Sequence, residues 1–370
     1  MTAARIYTDY NATSPLLPEL REFVTGLMLE PVANPSSLHA PGRAARNQLE
    51  QARAEVATWL GCLGEQVVFT ATATEANATA LGGHALACGK RAVVISAIEH
   101  PSVTENVPGA RIAPVFTNGV LDRDAFAALL TDEVGVVSVM WANNETGAVQ
   151  PIRDVAAMCQ ARGIRLHVDA VQAAGKLPIR LSEIPADTFA VSAHKIGAPP
   201  GAAALIVCGR APVSFIAGGG QEHGLRGGTE PYHCALAFGL AARVWREHGD
   251  AFRANMLAAR IAFESAIGGL HGYTIASASV ARIPNTCNVA VAGVRGQAVL
   301  TALDIEGVAV SHGSACATGS LDPSPALLAM GLSPAAARSA VRFSFGPHST
   351  REEARTVAQR CANAVARLRS

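Results

Sequence analysis

Through the first two thirds of the chain, short and nearly unbroken apolar runs alternate with stretches in which apolar residues recur every three or four positions. The runs are "QVVFT" (66–70), "RAVVIS" (91–96), "VGVVSVMW" (134–141), "IRLHVD" (164–169), "TFAVSA" (188–193) and "AAALIVC" (202–208). Runs of this length without polar alternation predict strands buried on both faces. The segments between them, "TEANATALGGHALA", "DRDAFAALL" and "PIRDVAAMCQARG", carry helical periodicity. Together they predict an α/β fold with a mostly parallel sheet flanked by helices.

From about Glu230 the pattern changes to two long Ala-rich helical stretches, "CALAFGLAARVWREH" and "ANMLAARIAFESAIGGL". A smaller α+β unit follows: "NTCNVAVAG", the helix "GQAVLTALDIEG", "VAVS", a loop, "AVRFSFG" and a last helix, for which Ser349 and Glu352 read as a capping box. No internal repeat or low-complexity linker separates the two parts. The expected division is a large unit at 14–255, with 1–13 and 256–370 forming the small one.

With 370 residues, 49% of them hydrophobic, the chain can bury cores of this size. A net charge of +1 without basic or acidic blocks disfavours nucleic acid and anionic membranes as partners. The N-terminal "MTAARIYTDYNATSP" has no apolar signal region, so a soluble cytoplasmic protein is expected. Eight cysteines lie far apart, without CxxC pairs or zinc-type spacing, so neither a metal site nor a disulfide framework is expected. Cys159 and Cys361 fall on helical patterns and Cys208 ends an apolar run, which suits packing.

Cys316 does not fit that description. It stands in "SHGSACATGSLDPSP" (311–325), among residues that bury little and favour turns. Lysine is also scarce: of thirty basic residues only Lys90, Lys176 and Lys195 are lysines. Lys195 closes "VSAHK" after a predicted strand and before "IGAPPG", where its amine could enter the crevice above the sheet or simply face solvent. Asp169 ends another strand, and either caps the following segment or holds a protonated ring nitrogen. Gln172 follows one turn later. In "FTATATEANA", a helix opening near Ala73 and Thr74 offers free N–H groups to a phosphate, while Thr72 and Glu75 read equally as a capping box. His100 follows "SAIE" and is either structural or a proton carrier stacked on a ring.

With these residues in this order, the chain closely resembles the cysteine desulfurases, pyridoxal-phosphate enzymes of fold type I in the class-V aminotransferase superfamily. The matching segments include "YTDYNATSP", "NPSSLHAPGR", "TATATEANA", "SAIEHPSV", "SVMWANNETGAVQPI", "HVDAVQAAGK", "SAHKIG", "GGGQEHGLRGGTE", "HGSACATGSLDPS" and "VRFSFG". The Cys316 loop, about 312–325, is similar to that of the long-loop group, and the resemblance implies that it is mobile. It further implies that Lys195 forms an imine with pyridoxal 5′-phosphate and that His100 stacks on the ring. Asp169 would hold the ring nitrogen, and Gln172, with Asn144, would serve the phenolic oxygen. The phosphate would lie by Ala73, Thr74, Ser192 and His194, with Thr229 supplied by the second subunit of a homodimer. Asn34, Asn144 and Arg342 would receive the carboxylate of L-cysteine. Cys316 would be the nucleophile that becomes a persulfide and hands sulfur to an acceptor such as an iron–sulfur cluster scaffold.

Departures from the usual pattern are "GAPPG" (197–201) after Lys195, "RGGT" (226–229) with Gly227 in place of a serine, Ala73 in place of glycine, and His312 in place of a serine. Two alternatives stay open: a selenocysteine or cysteine-sulfinate lyase, whose reaction need not involve Cys316, and an inactive paralogue acting as a scaffold.

Overall fold

The computed structural model describes residues 5–27, 29, 33–89, 92–312 and 322–370. In chain order the strands are β1 (Ile6–Tyr7), β2 (Val67–Thr70), β3 (Ala92–Ser96), β4 (Arg111–Ala113), β5 (Val134–Ser138) and β6 (Arg165–Asp169). They continue as β7 (Thr188–Ser192), β8 (Ala203–Val207), β9 (Tyr273–Ile275), β10 (Thr286–Val291), β11 (Val308–Ala309) and β12 (Ala340–Ser344). Seven of these form one sheet in the order β2-β8-β7-β6-β5-β3-β4. Among them β8 runs antiparallel to both its neighbours, and the other pairings are parallel.

Strands β2, β5 and β7 are buried along their whole length, the reason the sequence shows apolar runs there instead of alternation. Their side chains serve two cores. Phe69 packs with Leu49, Val56 and Phe238 from the helices Ala40–Leu60 and Tyr232–Ile267. Val68, pointing the other way, meets Ala76 and Ala80 of the helix Ala73–Ala87. With both faces covered, the open ground lies at the carboxyl ends of the parallel strands, after Ser96, Ser138, Asp169 and Ser192.

The two Ala-rich stretches form one continuous helix of 36 residues, Tyr232–Ile267, instead of two. Its buried positions, Trp245, Phe252, Met256, Ala259, Phe263 and Ile267, keep helical spacing straight through Gly249, so nothing breaks it. Met256 still belongs to the large sheet's core, whereas Ala259, Phe263 and Ile267 pack into a second core with Cys287, Val289, Phe343 and Val357. That second core lies under the antiparallel sheet β12-β10-β9. The last helix, Arg351–Arg369, is capped by Thr350 and Glu353, one residue later than Ser349 and Glu352. Ser349 Oγ instead accepts from Gly346 N at 2.9 Å, closing the turn that leaves β12. Cys159 and Cys361 are buried, as packing residues should be. Among the described residues no helix is long and apolar enough to cross a membrane.

Candidate active site

Beyond β7 the chain makes a short 3-10 turn, Ala193–Ile196, which ends at Gly197 with φ of 85°. A Cβ there would sit 2.5 Å from Leu17 Cγ, so only glycine lets the turn close against the N-terminal segment. The turn points Lys195 at the backbone of residues 11 and 12, where Nζ donates to Asn11 O at 2.6 Å and Ala12 O at 2.7 Å. Next to it, His194 Nδ1 lies 3.0 Å from Thr13 Oγ1. Burial, together with the charges of Lys195 and Lys176, pushes the His194 imidazole down to about 4. The hydrogen bond from Ala198 N to Ala193 O closes this turn before Pro199 and Pro200, so the substituted prolines lie outside it.

Asp169, at the end of β6, starts no helix. Its Oδ1 accepts from Val171 N at 3.0 Å in a local turn, and its Oδ2 accepts from Asn77 Nδ2 at 2.9 Å. Gln172 is buried, donating from Nε2 to Asn11 O at 3.0 Å and accepting from Lys176 Nζ at Oε1. Lys176 also donates to Asn11 Oδ1 at 2.9 Å. Burial first, then the charges of Lys195 and Arg342, hold its amine well below the ordinary lysine range.

His100 sits at the start of the short helical turn Pro101–Thr104, after β3. Its Nδ1 accepts from Ser102 N at 3.1 Å and lies 2.8 Å from Ser102 Oγ. Beside it, Glu99 is buried and pushed up to about 8 by that burial, although Ser96 Oγ and Met140 N both donate to it. Ala73 and Thr74 are the first residues of the helix Ala73–Ala87. Thr72 Oγ1 accepts from Glu75 N at 3.1 Å, but Glu75 reaches Ala71 N at 2.9 Å instead of Thr72 N, so half of the capping box forms. Glu75 also takes Arg226 Nε at 2.7 Å, fastening the glycine-rich loop to this helix. Arg226 in turn holds Thr229 O at 2.9 Å, leaving Thr229 exposed. A Cβ on Gly227 would lie 2.0 Å from Gly218 O, so this loop's backbone has no room for the usual serine.

Arg342 lies on β12, 1% exposed, with NH1 donating to Asn144 O at 3.0 Å and NH2 to Asp9 Oδ1 at 2.7 Å. Among the described residues its Nε has no partner. Asn144 O also accepts from Asn11 Nδ2 at 3.0 Å. Ser192 is buried at the end of β7. Asn34 is exposed, its Oδ1 engaged by Ser36 N at 2.8 Å. His312 lies 3.0 Å from Arg338 O through Nε2. Cys316 and the expected mobility of its loop lie outside the described residues.

Hydrogen bonds thus link Lys195, Gln172, Asn144 and Arg342 through Asn11, and Asp169 and His100 through Asn77 and Ser102. Asp9, Asn11, Asn77 and Ser102 were not read as site residues from the sequence. Nothing in their spacing marks them, since each serves by touching a partner far along the chain. The scarcity of lysine was the one signal that pointed to Lys176.

A lysine amine, a carboxylate, an imidazole and helix-start N–H groups stand at the carboxyl ends of a mostly parallel sheet, as in pyridoxal-phosphate enzymes of fold type I, the class to which the comparisons assign the chain. Residues 6–357 match the model of the family described as aminotransferase class-V. A cysteine desulfurase of Rhodobacter capsulatus is 38% identical over 366 residues, covering 95% of this chain and 94% of that protein. A NifS-like protein from Rickettsia africae superposes with a TM-score of 0.90 at 30% identity, covering 98% and 99% of the two chains. A structure titled as SspA in complex with cysteine superposes with a TM-score of 0.80 at 30% identity, over 93% and 100%. The chain belongs to the class-V aminotransferase family, and within it is a pyridoxal-phosphate-dependent cysteine desulfurase.

Proposed function

We propose that the enzyme takes sulfur from L-cysteine onto Cys316 and releases L-alanine. The observation that carries this reading is the Arg342 guanidinium. It is buried, oriented by Asp9 and Asn144, and still has Nε without a partner among the described residues. A substrate carboxylate is the partner that such a donor would take. The donor set fits pyridoxal phosphate: Lys195 would hold it, Asp169 its ring nitrogen, Gln172 its phenolic oxygen, and His100 its face. The N–H groups of Ala73 and Thr74, with Ser192, His194 and Thr229, would take its phosphate. When bound, the cofactor supplies an electron sink that weakens the substrate's carbon–sulfur bond.

The chain's own residues do the rest. Arg342 and Asn144 hold the carboxylate, with Asn34 completing that subsite. The Cys316 thiolate attacks the substrate sulfur, forming a sulfur–sulfur bond as the carbon–sulfur bond breaks. The electron pair stays with the carbon skeleton, which takes up a proton and leaves as alanine. Lys195 and His100 are the groups that carry protons at this site. We further infer a cytoplasmic homodimer in which Thr229 serves the neighbouring subunit, and a cluster-scaffold protein as sulfur acceptor. The exposed position of Thr229 supports the first of these. Residues 14–255 would form the cofactor-binding unit, and 1–13 with 256–370 the unit carrying Cys316. The two cores change over between Met256 and Ala259, within a few residues of that boundary, which supports the division.

Mass spectrometry of peptides after incubation with L-cysteine tests the proposal. A one-sulfur mass increase on the Cys316 peptide, together with alanine release lost in Cys316→Ala, is expected. An adduct on another cysteine alone, or undiminished alanine release by the variant, refutes it.

A further inference from the structure

A line of buried polar side chains runs from the far end of β6 to the candidate site, and the groups at its two ends set its direction of donation. Arg165 can only donate, and its NH1 lies 3.3 Å from His84 Nδ1. A neutral His84 that accepts there carries its proton on Nε2, which is 3.1 Å from Thr188 Oγ1. The Thr188 hydroxyl then has its own proton to give to His167 Nδ1 at 2.9 Å. His167 Nε2 is then the donor to Asn77 Oδ1, also at 2.9 Å, in preference to the opposite tautomer, which would give the ring proton to the Thr188 backbone carbonyl.

At Asn77 the line divides. Its amide nitrogen donates to Asp169 Oδ2 at 2.9 Å and to Ser102 Oγ at 2.9 Å. Ser102 passes its hydroxyl proton to His100 Nδ1, which also accepts the Ser102 backbone N–H. Both ends agree on the direction, because a backbone N–H, like a guanidinium, can only donate. His84, Thr188, His167 and Asn77 are all fully buried, so no solvent can reverse a link. Burial pushes His84 down to about 4 and His167 down to about 3, which keeps both rings neutral. Asp187, Arg165 and Arg210 are the charged groups that act on His84, and Arg165 and Arg210 reinforce its neutral form.

We infer that this one-way chain positions two groups of the active centre at once: it presents Asp169 with a donor and fixes the proton of His100 on Nε2. Thr188, His167 and Asn77 are positioning residues for the reaction, and the inference rests on the desulfurase reading for its kinetic consequence only. An amide turned the other way would set Asn77 Oδ1 against the Asp169 carboxylate. The order of the whole line therefore decides whether the acid meant for the ring nitrogen is held or repelled.

Neutron diffraction from deuterated crystals of the protein reads the protons directly, with no need for turnover. Deuterium is expected on Nε2 of His84, His167 and His100, and on Thr188 Oγ1 toward His167. Deuterium on Nδ1 of any of the three rings overturns the inference. Thr188→Val keeps the shape and deletes the relay hydroxyl. In the loaded enzyme it should lower kcat for alanine formation about tenfold while KM for L-cysteine moves less than about twofold, as expected for loss of one oriented buried hydrogen bond. Thr188→Ser should restore both values. Unchanged kcat in a folded Thr188→Val, or no rescue by serine, also refutes the inference. If the wild-type enzyme forms no persulfide, the desulfurase reading falls, while the deuterium positions still decide this one.

Discussion

Replacing Arg342 with lysine tests the substrate subsite at one atom. The guanidinium has three nitrogens and the fold uses two: NH1 on Asn144 O at 3.0 Å and NH2 on Asp9 Oδ1 at 2.7 Å. Lysine keeps the charge but cannot hold Asp9, satisfy the Asn144 carbonyl and present a fixed donor to a carboxylate. A hydrogen bond to a charged group contributes about 1.5–3 kcal/mol. At about 1.4 kcal/mol per decade, that corresponds to KM for L-cysteine rising roughly 10- to 100-fold. Because the carboxylate does not react, kcat should fall much less than KM rises. The assay is steady-state alanine formation across L-cysteine concentrations, with cofactor absorbance confirming equal loading. Cysteamine, which lacks the carboxylate, closes the cycle: its spectral binding to the loaded enzyme should be nearly the same for wild type and variant. A KM for L-cysteine within about threefold of wild type, well short of the loss of a charge-assisted bond, would refute the assignment. So would an equal loss with cysteamine.

Three further outcomes follow from buried contacts. Glu222→Gln removes the buried charge partner of the Arg53 guanidinium, with its bonds of 2.7 and 2.8 Å, and leaves only the more exposed Glu50 beside it, so it should cost roughly 1.5–3 kcal/mol in denaturant unfolding. A loss below about 1 kcal/mol, typical of an exposed pair, would count against this. Glu99→Gln should flatten the pH dependence of stability. With its folded pKa raised from 4.5 to about 8, Glu99 binds its proton more tightly in the native state, so it lowers stability progressively as pH rises from 4.5 to 8. Wild type and variant losing stability in parallel across that window would exclude it. Gly227→Ser puts an atom against Gly218 O, so it should destabilise the enzyme by roughly 1–3 kcal/mol in thermal unfolding and weaken cofactor retention. Unchanged values for both would mean that the loop has room.

The sheet was legible because its strands are buried on both faces: "VGVVS" and "TFAVS" could hardly be read otherwise. The join between "REHGD" and the next stretch was not legible, because a glycine and charged residues read as a break where packing carries the helix through. The cap of the last helix slipped by one residue since Ser349 and Thr350 are both good caps, and only the turn at Gly346 decides between them. In the site, Lys195, Asp169 and His100 stood out because each lies at or just beyond the end of an apolar run. Asp9, Asn77 and Ser102 did not, because their contribution is to fix the orientation of a neighbour brought close by folding.

Asn11 shows why that second class matters. Its backbone carbonyl takes Lys195 Nζ and Gln172 Nε2, and its side-chain oxygen takes Lys176 Nζ and Asn285 Nδ2. Its amide nitrogen serves Asn144 O and Thr286 Oγ1, while its own N–H goes to Ser344 Oγ. One asparagine near the N-terminus therefore touches the lysine that would hold the cofactor, the segment that orients Arg342, and strands β10 and β12 of the second sheet. Two amines within hydrogen-bonding reach of the same residue repel each other, and the mutual charge of Lys195 and Lys176 is part of what lowers the Lys176 amine. Lowering the Lys176 amine weakens that repulsion, while Nζ still donates to Gln172 and Asn11. The buried lysine thus orients amides beside the Lys195 amine. Burial, with the charges of Lys195 and Arg342 behind it, is what holds this amine well below the ordinary lysine range.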